Sequence, residues 1–177
     1  MVAYITRMPA GIPGDVNRAW HAVIEAQVVT PNGTTGAPTA YGLPMVVDAT
    51  AGNVGNMRTV GGSDAVANVY GFLVRPFPTN SSQDGLGTST PPASGVCNIC
   101  RVGYMTILLN GTVAATKGGR VYIWTSASSG THVLGGVEAD SSLPGGSNGF
   151  ALTGATFMGP ADSSGNVEIS FDCRIAD

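Results

Sequence analysis

Three short stretches hold residue types capable of chemistry. "CNIC", Cys97 to Cys100, has the spacing of a redox dithiol or of half a zinc site. A redox pair needs a helix N-terminus to lower the thiol pKa, and a structural zinc needs two further ligands. The flanks read as strand and loop, the remaining cysteine is Cys173, and His21 and His132 stand apart. Cys97 and Cys100 are therefore expected as small buried or semi-buried hydrophobes. An odd cysteine count without an export signal predicts reduced thiols in a cytoplasm. "GGSNG", 145–149, matches the nucleophile elbow, yet Ser147 lies before a β-like stretch and both histidines precede it, against the order an elbow requires. A solvated turn is expected there. "GTVAATKGGR" lacks the G-K-[ST] order of a phosphate loop, since Lys117 follows Thr116. No catalytic residue, cofactor site or metal site is expected, and the chain reads as no enzyme.

The elements that would hold such groups are strands. "NVEISFDCRI" alternates strictly, with Val167, Ile169, Phe171, Cys173 and Ile175 on one face and Glu168, Ser170, Asp172 and Arg174 on the other. "GRVYIWT" and "CRVGYMTILL" read as further strands, "MVVDA", "NVYGFLV", "THVLGGVEA" and "FALTGATFM" as shorter ones, with Gly- and Ser-rich turns between them. "AVIEAQVV" alternates as a strand with Ala22, Ile24, Ala26 and Val28 on one side, although residues 15–27 also suit a helix capped by Asp15; strand is preferred. The expected fold is all-β, an antiparallel sandwich or barrel-like body over 21–177 with an extended N-terminal arm at 1–20 and a long loop at 75–95.

Composition narrows the function classes. Only 11% of the 177 residues are charged, 43% are hydrophobic, and the net charge is −3. Seven scattered arginines and one lysine supply no basic stripe, which argues against nucleic acid. No run of about 18 apolar residues is present for a membrane span. A surface poor in charge packs closely against other protein with little repulsion. The segment "RMPAGIPGDVNRAW", Arg7 to Trp20, has two prolines, two glycines and no regular period, yet carries Met8, Ile12, Val16 and Trp20, which gain free energy only when covered.

That opening, "YITRMPAGIPGDVNR", resembles the start of tailed-phage capsid structural cement, or head decoration, proteins. The runs "GGRVYIWTSASSGTHVLGGVEA" and "ALTGATFMGPADSSGNVEISF" are similar to the C-terminal half of that family. The resemblance implies a non-enzymatic protein of the virion, made in the host bacterial cytoplasm. It would bind the outer capsid surface and stabilise contacts between major capsid protein subunits. It also implies self-association, as a homotrimer or alternatively a dimer. Tyr4, Arg7, Met8, Pro9, Ile12, Pro13, Arg18 and Trp20 would be the partner-binding residues of the arm. The alternative is a host-surface or glycan-binding head protein reading through the 75–95 loop.

Overall fold

The computed structural model describes residues 11–29, 37–50, 52–76, 91 and 95–174. Nine strands run through them: β1 (Val23–Val29), β2 (Pro44–Val47), β3 (Met57–Thr59), β4 (Val69–Leu73), β5 (Gly95–Leu108), β6 (Arg120–Trp124), β7 (Val137–Glu138), β8 (Gly149–Phe157) and β9 (Asn166–Asp172). The helical segments among the described residues are three 3-10 turns, at Ala19–His21, Val66–Asn68 and Leu143–Gly146. The all-β expectation holds, and the body is a barrel: β1, β3, β2, β4 and β5 close on one another, and β9, β8, β6 and β7 extend the sheet from β5.

The 14-residue β5 is the member common to both parts. Its first half pairs antiparallel with β1, from Val29↔Gly95 to Val23↔Val102. Its second half pairs with β9, from Val102↔Asp172 to Leu108↔Asn166. The handover falls at Val102, where the register with β1 slips by one residue between Val23↔Val102 and Ile24↔Cys100. The bulge re-phases the strand, so that Cys100 before it and Met105 and Ile107 after it all face the larger apolar cluster. Past its end, a parallel bridge from Leu109 to Val137 and the amide of Asn110 donating to the Val137 carbonyl at 2.8 Å bring the far edge of the extension back to β5.

Two apolar clusters follow from this layout. Val29, Tyr41, Met45, Met57, Leu73, Cys97 and Ile99 fill the barrel. The larger cluster includes Phe72, Met105, Ile107, Ile123, Phe157, Ile169 and Phe171 and joins β4 and β5 to the extension, with Phe72 and Phe171 4.7 Å apart between ring centroids. β6 is covered on both sides. Val121 and Ile123 enter the larger cluster, whereas Tyr122 and Trp124 meet Leu143 of the last 3-10 turn.

"THVLGGVEA" yields only the two residues of β7. Gly135 at φ +76° and the turn closed by Gly136 N–H on the Val133 carbonyl consume its first half. Most of the 75–95 loop lies outside the described residues.

Candidate contact surface

Residues 11–18 lie along the second half of β5. The Gly14 amide donates to the Thr106 carbonyl at 2.8 Å, the Thr106 amide to Asp15 at 3.0 Å, and the Asn17 amide to Tyr104 at 2.9 Å, with Val16 bridged antiparallel to Met105. The path starts in a turn in which the Asp15 amide donates to the Ile12 carbonyl and the Ile12 amide to the Asp15 carboxylate. Gly14 fixes the position of that turn. Its φ is +91°, and a Cβ there would stand 2.5 Å from Cβ of Tyr41 and 3.0 Å from Cβ of Arg75. Only glycine lets the chain pass between these two residues and the edge of β5.

Side chains then hold the segment to β9. Asn17 Nδ2 donates to Thr106 Oγ1 and to Glu168 Oε1, both at 3.1 Å. Arg18 Nη2 reaches Glu168 Oε2 at 3.3 Å while its guanidinium lies 4.0 Å over the Tyr104 ring. His21 sits edge-on to Tyr104, and Trp20, beside His21, is 80% exposed. Of the expected arm residues, Arg18 thus contacts the body, Ile12 and Pro13 are half-buried, and Trp20 projects into solvent. Tyr4, Arg7, Met8 and Pro9 lie outside the described residues. Sequence reasoning missed the receiving side, Thr106, Tyr104 and Glu168, because nothing local marks a strand face as the seat of a segment so distant in the chain, 89 residues for Asn17 and Thr106 and 151 for Asn17 and Glu168.

A second surface lies on β1. Ile24, Ala26 and Val28 point outward and are exposed, and across the ladder Val28 faces Val96, which is also exposed. Glu25 and Gln27 turn inward instead. Gln27 Nε2 donates to Tyr70 Oη at 3.1 Å, Tyr70 Oη donates to Glu25, and Arg101 lies 3.5 Å from the Glu25 carboxylate and 4.1 Å over the Tyr70 ring. The Tyr70 hydroxyl and then Arg101 hold the Glu25 carboxyl below its ordinary range against desolvation, and the same bond raises the tyrosine. The Glu25 carboxylate is thus held by Tyr70 and Arg101, although Arg101 Nε is buried without a hydrogen-bond partner.

The stretches singled out for chemistry are placed apart. Cys97 and Cys100 point to opposite sides of β5, Cys97 into the barrel cluster and Cys100 into the larger one. Burial raises the Cys97 thiol and pushes Cys100 up to about 11 and Cys173 up to about 12, so all three are protonated at neutral pH. Ser147 follows a 3-10 turn at φ +58° and is exposed ahead of β8, the reverse of a strand-to-helix elbow. His132 stacks 4.2 Å from Trp124 and holds both oxygens of buried Glu138, at 2.9 and 3.0 Å, which ties the 129–133 turn to β7.

The family model for the XM1 gp53 minor capsid protein matches residues 1–171. The chain belongs to that family. It is a phage capsid protein, as the resemblance in its opening and C-terminal half implied. A chain in the solved capsid of Myoviridae phage XM1 shares the capsid protein's fold, with a TM-score of 0.64 and 17% identity over 96% of this chain and 95% of that one. Comparison with curated proteins returned no relative. The structural match spans the barrel and its extension together, so the two parts linked by β5 form one fold.

Proposed function

We propose that this capsid protein is a non-enzymatic cement, or decoration, protein. It sits on the outer surface of the phage head and ties neighbouring major capsid protein subunits together. Family membership over residues 1–171 carries the reading. The geometry supports it in two ways. The leading segment is tied to β5 and β9 at residues 14–18, which gives an arm carrying Tyr4, Arg7, Met8 and Pro9 a fixed point of attachment. Ile12, Pro13 and Trp20 flank that point and Arg18 braces it. Meanwhile Glu25, Asp64, Glu138, Glu168 and Asp172 are each held in ion pairs or hydrogen bonds within the chain.

Many copies acting together resist internal pressure through individually small contacts. Copies also contact one another in this reading, three about a local threefold axis or two about a twofold. The test adds the purified protein to capsids that lack it. Saturable addition and a higher temperature of capsid disruption are expected, and loss of addition when residues 1–10 are removed assigns the arm. Failure of the full chain to add overturns the proposal.

A further inference from the structure

We infer that the outer face of β1 and the start of β5 is where a second copy of this chain seats, about a twofold axis near Ile24. The strip runs from Trp20 through Ile24, Ala26 and Val28 to Val96, with exposures of 80% for Trp20, 44% for Ile24, 46% for Val28 and 71% for Val96. Among the described residues it holds no acidic, lysine or arginine side chain, because Glu25 and Arg101 turn to the inner cluster. Asn98, paired with Ala26, and His21, beside Trp20, are its polar members among the described residues.

Its two ends differ in shape. Trp20 stands out at the head of β1. Beyond Val96, on the side toward β4, lies a cavity of about 110 Å³ lined by Tyr41, Val74, Pro76, Val96, Cys97 and Asn98. A projection and a hollow roughly 25 Å apart along one strand pair cannot fill each other within a single chain. Two copies packed face to face in opposite directions bring each Trp20 toward the other's hollow, and a twofold axis makes both contacts at once.

Area and charge also fit a second copy. The five apolar side chains expose on the order of 500 Å² per copy, so a pair removes about 1,000 Å², the lower bound for a specific interface. An uncharged strip faces its own image without like-charge repulsion, and tryptophan is the residue type that most often anchors such contacts. The inference rests on the capsid reading in one respect: adjacent sites on a head supply the local concentration that a contact of this size needs.

Sedimentation of the full chain from about 1 to about 100 μM tests it, the range in which an interface of this area associates. A monomer–dimer equilibrium is expected. Trp20→Ser and Val28→Asp should each weaken it at least tenfold, with the melting curve of the monomer retained because these side chains are exposed. Ile24→Cys should oxidise to a disulfide-linked pair, whereas Val113→Cys, exposed elsewhere, should not. Wild-type chains that stay monomeric, dimers indifferent to both substitutions, or a trimer without the Ile24→Cys link each overturn the inference. Capsid addition, measured separately, keeps the two ideas apart. Variants that still dimerise but no longer add to capsids assign the strip to the coat protein and refute the pairing. A wild type that dimerises through the strip but never adds to capsids leaves the pairing standing and removes the cement reading.

Discussion

β1 and β9 both alternate with period two and pair with the same strand, yet from Ile24 to Val28 β1 is turned the opposite way, and only Val29 at its end enters the barrel cluster. In β9 the apolar residues Val167, Ile169 and Phe171 are buried, and Glu168, Ser170 and Asp172 face out to partial solvent. In β1 the apolar residues Ile24, Ala26 and Val28 face solvent, while Glu25 and Gln27 face the barrel. The difference comes from what stands opposite. β9 lies over Phe72, Met105 and Ile107, which offer only apolar atoms. Glu25 and Gln27 meet Tyr70 and Arg101, which supply hydrogen-bond partners for polar groups at the barrel wall. Alternation identifies two faces; the partner decides which one is covered. The apolar face of β1 left outside is the one on which the proposed second copy would seat.

The comparison breaks most visibly at Ile169. Truncation of this fully buried side chain, Ile169→Ala, should cost about 2–5 kcal/mol in urea unfolding. The matching truncation Ile24→Ala should cost far less, and equal losses would mean that both faces are packed within one chain.

A smaller effect should appear with acid. The Glu25 carboxyl is held below its ordinary range by the Tyr70 hydroxyl and by Arg101. Its contribution is therefore complete above the ordinary carboxylate pKa and is lost as pH falls through the lowered folded value. Amide exchange along the barrel half of β5, residues 95–101, should then accelerate relative to residues 104–108 as pH drops from about 6 to about 3. Glu25→Gln should remove that pH dependence. Uniform acceleration along β5 would show that the polar inner face contributes nothing specific to β1.

The smallest change is expected from Ile24→Thr. At dilution, where single chains dominate, it should alter unfolding free energy by no more than about 0.5 kcal/mol, because a β-branched residue replaces another on an exposed strand face. A larger loss measured under those conditions would place Ile24 against its own chain and sharpen the search for what covers it.

Much of the body was legible because its signals are local. The period of "NVEISFDCRI" marks β9, and the apolar runs "GRVYIWT", "CRVGYMTILL" and "FALTGATFM" mark β6, β5 and β8. The preference for strand over helix at "AVIEAQVV" agrees with β1. β7 came out shorter than its apolar letters suggest, because Gly135 and Gly136 turn the chain first. The contact surface was legible only from one side. The proline- and glycine-bearing segment announces that it needs covering, yet Thr106, Tyr104 and Glu168 show no mark of receiving it, being ordinary members of alternating strands.

By itself, then, the sequence determined that the chain is built of strands, where most of them run, and that its leading segment cannot stand alone. These are consequences of period, turn residues and composition within a few positions of each other. Only the tertiary structure decided that β5 serves both parts of the sheet, that Cys97 and Cys100 part company, that Gly14 must lack a side chain, and that β1 turns its apolar face to solvent. Each of those depends on which atoms lie across a gap from residues distant in the chain, and the free energy of burying a face is set there.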